Sequence, residues 1–333
     1  ETLPDATAVA ERYVSGKGLS RPEIGVLLSY AKIVLFDQLV ESDLPDDPYC
    51  ETILSTYFPE GMRQRFAGDI AGHRLRREII ATVLANHAIN RGGPGFVVSV
   101  CDATGATPAE VVKAALVTRD SLGLVGLWDR IDALDAKIPG QTQNRLYAVI
   151  SKVYAATTRL LIDTGFISGP VETIVSQLQQ AFAQARTEFQ SALPDALRQH
   201  FDTEIAELVD AGAPSDLARD VIELQAMQLL PEVLQIARRT GATFTAAMES
   251  FFAVTETFRI GRLIDNAGRL QPADHYDSLA LSRSLDRIGQ ARRQIVCEAL
   301  GDGQSAENAI EIWLAKDRTR AERISREIAA IVD

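Results

Sequence analysis

The sequence is short of most things that staple, anchor or charge a specialised chain. Its 333 residues include only three cysteines. Cys50, Cys101 and Cys297 are odd in number and widely spaced, so no disulfide framework is expected, and reduced thiols in a cytoplasmic compartment are. No apolar run approaches the ~20 residues of a membrane span, and no signal peptide opens the chain. Basic charge is in deficit: 34 Lys and Arg against 45 Asp and Glu give a net charge of −11. That balance argues against nucleic acid or an anionic membrane surface as the main partner. The first residue is glutamate and the earliest methionine is Met62, so the chain is expected to be a piece of something longer.

What is present is the material of helices. Hydrophobic residues make up 46% and charged residues 24%, ordinary for a folded protein. Ala, Leu, Glu, Gln and Arg dominate and β-branched runs are rare, which predicts an all-α multi-helix array without a Rossmann sheet. The length suits one large domain or two smaller ones. Ile138-Pro139-Gly140 is the best internal boundary, giving helical subdomains over residues 1–139 and 140–333.

Helix starts and stops are legible along the chain. Ser20-Arg21-Pro22-Glu23 and Thr107-Pro108-Ala109-Glu110 are capping boxes, in which each N-cap oxygen and each glutamate satisfy an otherwise free backbone N–H. Asp47 is placed to cap a helix starting at Pro48. Phe96-Val97-Val98-Ser99-Val100 is strand-like in composition, but with no partner in sight the prediction is helix. Leu230-Pro231 marks an interruption or kink. Residues 243–267 read as one broad apolar helix, and 306–331 as a final helix with charges alternating in sign.

The densest stretch runs from His73 to Phe96, HRLRREIIATVLANHAINRGGPGF. At ~100° per residue, Leu75, Ile79, Val83, Asn86 and Asn90 share one face. Ile80 and Leu84 widen the apolar arc to about half the circumference, which predicts burial against several neighbours. On that reading both amides need partners, since an unpaired buried amide costs about 1–3 kcal/mol.

Residues that could carry chemistry fare poorly. Gly301-Asp302-Gly303-Gln304-Ser305-Ala306 matches the loose dinucleotide pattern, but a helix precedes it where a strand is required, so an interhelical turn is expected. Gly16-Lys17-Gly18 and Arg91-Gly92-Gly93-Pro94-Gly95 read as turns; the second follows a helix C-terminus, where the dipole repels anions. His73, His87, His200 and His275 lack metal-site spacing. Asp43, Asp46 and Asp47 read as caps and solvated charges, and Arg292-Arg293 sits in mixed charge.

Three strings carry a family resemblance: GLSRPEIGVLLSYAKIVLFDQLVESDLPDDPY (residues 18–49), YFPEGMRQRF (57–66) and the 73–96 stretch. They resemble the C-terminal region of the large bacterial NAD-dependent glutamate dehydrogenases. The likeness continues more weakly through residues 105–134 and loosely around 229–241 and 281–294. It implies oxidative deamination of L-glutamate with NAD, a very large cytoplasmic subunit and a homo-oligomer. The family's catalytic lysine and nucleotide loop lie upstream of this region. No catalytic, cofactor or metal residue is therefore assigned here, and NAD is expected only in the full-length enzyme. The expected partners are the catalytic domain of the same chain and other subunits.

The polar residues of the matching segments, Arg21, Glu23, Tyr30, Lys32, Arg74, Arg77, Glu78, Asn86, Asn90 and Arg91, are the candidate structural or interface set. Two readings stand side by side: a surface facing a catalytic domain or neighbouring subunit, or an internal network that holds helices in register. A separable helical interaction module with no enzymatic role is the alternative function.

Overall fold

The computed structural model describes residues 3–192, 195–301, 306–316 and 318–332. Among these residues the chain forms nineteen helices and no strand, the all-α array expected. In order they are α1 (Ala6–Val14), α2 (Arg21–Val40), α3 (Glu51–Tyr57), α4 (Glu60–Arg63), α5 (Ala67–Ala71), α6 (Arg76–Gly92), α7 (Phe96–Thr104), α8 (Pro108–Ser121) and α9 (Leu124–Asp132). There follow α10 (Gly140–Asp163), α11 (Val171–Ala192), α12 (Asp195–Asp210), α13 (Ser215–Met227), α14 (Leu230–Thr240) and α15 (Phe244–Thr257). The last four are α16 (Ile260–Arg269), α17 (His275–Leu300), α18 (Ala306–Lys316) and α19 (Arg318–Val332). Two compact units divide the chain: Glu1–Ser121 with Tyr154–Ser176, and Leu122–Val153 with Gln177–Asp333.

In unit 1, α2 makes its most extensive contact with α6, and both touch α8. The N-terminus of α2 is fixed as the sequence predicts. The Ser20 hydroxyl accepts from the Glu23 N–H at 3.4 Å, and Glu23 Oε2 accepts from the Ser20 N–H at 2.7 Å. The same arrangement opens α8, where Glu110 Oε2 accepts from the Thr107 N–H at 2.8 Å. Asp47 caps the 3-10 turn Pro48–Cys50 by accepting from the Tyr49 N–H at 3.0 Å. Its other oxygen accepts from the Val171 N–H at the start of α11, at 3.3 Å. A carboxylate is favourable at a helix N-terminus, where free N–H groups gather.

The buried face of α6 differs from the predicted one. Ile80, Ala81, Leu84, Ala85, Ala88 and Ile89 are buried, whereas Leu75 and Asn90 are exposed and Ile79, Val83 and Asn86 only half-buried. An apolar arc of half a turn does not fix its own centre; α2, α3, α7 and α8 packing on α6 do. An exposed Asn90 amide is free to meet water and has no obligatory protein partner. After α6, Gly93 takes φ +89° and ψ 168°, a region essentially closed to side chains. A Cβ on Gly92 would lie 2.3 Å from the Phe96 ring. The residues Phe96–Val100 are helical because Phe96, Val97 and Val100 bury their side chains within α7; tertiary packing overrides β propensity.

Unit 2 is built on α15, which contacts α14, α16, α17 and α18 and buries Phe244, Met248, Phe251, Phe252 and Val254. The single helix predicted over residues 243–267 is divided in two. Phe258 ends α15, and Arg259 takes the left-handed conformation at φ +51° before α16. Leu230-Pro231 interrupts the helical pattern as expected, between α13 and α14, but kinks no helix: Pro231 stands in the first turn of α14, where its missing N–H costs nothing. The predicted final helix is described as α18 and α19 on either side of residue 317.

Candidate functional site

The ten singled-out polar residues do not gather at one point. Arg21, Tyr30, Arg74 and Asn90 are exposed; Glu23, Lys32, Arg77, Glu78, Asn86 and Arg91 are half-buried. Two of them have defined work. Glu23 accepts from Arg12 Nη1 at 2.7 Å besides capping α2. The Arg12 hydrogen bond, with the Ser20 backbone, pulls its carboxyl down to about 2. Such a group stabilises the fold above its unfolded value near 4.5, and that contribution fades as pH falls toward about 2. Glu23→Gln should therefore flatten the acid limb of the stability curve between pH 4.5 and 2, read from denaturation midpoints across that range.

Arg77 clamps the far end of α2. Its Nη2 donates to the Val40 carbonyl at 2.7 Å and the Ser42 carbonyl at 2.8 Å, while Nη1 pairs with Asp46. Cationic donors suit carbonyls left unpaired at a helix C-terminus. Arg77→Ala should lower stability by about 1–3 kcal/mol, because two charge-assisted bonds are lost. Thermal unfolding checks this, and Arg77→Lys should recover only part, since a lysine presents no fork.

Between α6 and α8 sits a second constellation that sequence reading did not assemble. Arg119 grips Asp120 through Nε–Oδ1 at 2.6 Å and Nη2–Oδ2 at 2.8 Å. The Tyr49 hydroxyl donates to Asp120 Oδ2 at 2.9 Å. Tyr154, buried, stacks on Phe96 with centroids 5.3 Å apart and feels the charges of Arg119, Asp120 and Arg91. Burial, then the nearby Arg119 and Arg91 charges, push His87 down to about 4. Burial also raises both tyrosines and takes the Cys50 thiol up to about 12. At neutral pH His87 is thus an uncharged imidazole and Cys50 a thiol, while the Asp120 side chain is already engaged by Arg119 and Tyr49. These protonation states suit a neutralised, hydrogen-bonded network better than proton transfer or nucleophilic attack. Arg119, Asp120 and Tyr49 are scattered in sequence, and only the fold makes them neighbours.

His87 gives the network a pH signature. The unfolded imidazole binds its proton near 6.5 and the folded one near 4. Stability is therefore complete above about pH 6.5 and is lost as pH falls through about 4, by roughly 3 kcal/mol in total. Removing the titrating ring with His87→Gln should erase this slope, measured as urea midpoints from pH 7 to 4.

The remaining candidates are structural. His73 Nδ1 accepts from the Leu75 N–H at 3.1 Å, and His200 is exposed, 3.7 Å from Glu204. The side chain of His275 and residues 302–305 of the glycine motif lie outside the described residues. Asp46 pairs with Arg76 and Arg77. Among the described residues, no group of three or more His, Cys, Asp and Glu could hold a metal ion, and no helix is long and apolar enough to cross a membrane. Arg292 and Arg293 prove to be buried, both facing a buried Glu232, at 3.0 and 3.3 Å. No local signal revealed that, because the partner lies 60 residues away.

The comparisons with known proteins agree with the sequence likeness. The chain is 30% identical over 318 residues to the NAD-specific glutamate dehydrogenase of Halomonas elongata. It is 28% identical to that of Pseudomonas aeruginosa and 26% identical to that of Mycobacterium tuberculosis. These alignments cover 95%, 97% and 98% of this chain but 20% of each relative, so the chain spans about a fifth of the length of the curated relatives it matches. A family model described as "Glutamate dehydrogenase, C-terminal" matches residues 16–333. The chain belongs to this family of glutamate dehydrogenase C-terminal regions.

Proposed function

We propose that the chain is a helical C-terminal region that supports assembly or regulation of a large NAD-dependent glutamate dehydrogenase. In that enzyme, L-glutamate, NAD and water give 2-oxoglutarate, ammonia and NADH. On this reading the chemistry belongs to other parts of the polypeptide, and this region serves a homo-oligomer by packing on the catalytic domain or on neighbouring subunits. The observation that carries it is the lopsided coverage: nearly all of this chain aligns, but with only a fifth of each dehydrogenase. The polar network around Asp120 supports the same reading, since its charges are spent on each other.

The test is to delete the region from the full-length enzyme and measure sedimentation and NAD-dependent glutamate turnover. Altered assembly or turnover is the expected result; both unchanged would sink the proposal. The isolated chain, titrated with NAD, should show no binding.

A further inference from the structure

Unit 2 contains a cavity of about 550 Å³ lined by residues of α16, α17 and α19. Its wall is largely aliphatic, with Ile260, Leu263, Leu285, Ile288, Ile324 and Ile328 prominent. The volume lies within the ~300–1,000 Å³ of small-molecule sites, which combine apolar walls with a few placed polar groups. One such group is Arg292, part of the same wall and only 5% exposed.

Arg292 is incompletely satisfied. Its Nη2 donates to both Glu232 oxygens at 3.0 and 3.1 Å, and its guanidinium carbon lies 4.0 Å from the centre of the Phe251 ring. Its Nε, buried, has no hydrogen-bond partner. Charge is unbalanced in the same place, because two buried arginines, Arg292 and Arg293, share the single carboxylate of Glu232. Burial of a cation without full compensation is unfavourable, and burial duly lowers the Arg292 pKa from its ordinary value. An anion bringing acceptor oxygens would correct both deficits at once.

We propose that this cavity binds an amphipathic monocarboxylate, a linear acyl chain lying along the isoleucine and leucine wall with its carboxylate against Arg292. A guanidinium favours a planar two-oxygen acceptor, geometrically and electrostatically. Glu327, an exposed acid on the same lining, adds a negative charge that disfavours a second carboxylate on the ligand. The site thus prefers an aliphatic tail over a dicarboxylic acid.

Isothermal titration of the intact protein with decanoate, decanol and decyltrimethylammonium, each below its micelle concentration, tests the proposal. Decanoate should bind at least ten-fold more tightly than either, and octanoate roughly fifteen-fold more weakly than decanoate for the two methylenes lost. Truncating Arg292 risks unfolding unit 2, so the variants are Ala267→Phe and Ala291→Phe, which fill the cavity from its wall and leave the Glu232 triad intact. Each should weaken decanoate at least ten-fold without lowering the thermal midpoint. Equal binding of the three head groups, decanoate binding indifferent to both phenylalanines, or no decanoate binding at all would overturn it.

Discussion

Replacing Glu232 by glutamine should lower the stability of unit 2 by about 3–5 kcal/mol, among the largest losses any single change in the chain can produce. Glu232 is 3% exposed and is the carboxylate that both Arg292 and Arg293 face. A glutamine leaves two guanidinium groups buried without a counter-charge, and breaking a buried pair from one side costs far more than the pair itself is worth. The same reasoning predicts a partial rescue. Replacing all three residues together by apolar side chains of similar volume should recover most of the loss, because no charge then remains to be desolvated. Urea denaturation at pH 7 distinguishes the cases. A Glu232→Gln cost under about 1 kcal/mol would mean that water reaches the triad.

On α6 the expected contrast is between neighbouring stripes of one helix. Leu84→Ala removes a side chain that is 2% exposed and should cost about 2–5 kcal/mol as transfer and cavity terms add. Leu75, 54% exposed, should tolerate alanine within about 0.5 kcal/mol. The sequence pattern alone ranked these two leucines together on one apolar arc. Equal costs in thermal unfolding would restore that ranking and contradict the packing of α6 on α2 and α8.

What could be read in advance and what could not follows the range of the interaction. The caps at Ser20, Asp47 and Thr107 were legible because donor and acceptor lie within three residues. The all-α class was legible because composition and helix punctuation are spread over the whole chain. The division at Arg259 was hidden, since no proline marks it, the nearby Gly261 lies inside α16, and it is an arginine that adopts the conformation more typical of glycine. Arg77 could be singled out, but not its task, because backbone carbonyls at Val40 and Ser42 have no signature in sequence. Arg292 and Arg293 read only as a basic pair in mixed charge for the same reason: Glu232 comes to them through the packing of α14 on α17.

Unit 1 is discontinuous, and this has a consequence for synthesis. Asp47 closes the N-terminus of α11 through Val171, Lys113 Nζ donates to the Gly169 carbonyl at 2.6 Å, and Phe96 stacks on Tyr154. None of these partners exists when Ser121 leaves the ribosome. About 55 further residues must follow before Ser176 completes the unit, a delay of roughly 3–11 s at ordinary elongation rates. During that interval the first eight helices stand with Phe96 unstacked and with Asp47 Oδ2 lacking its Val171 donor, although Oδ1 already holds Tyr49, and segments of unit 2 are already emerging. Nascent chains of this region are thus most vulnerable to aggregation and proteolysis in a window set by the order of the chain, not by its final stability.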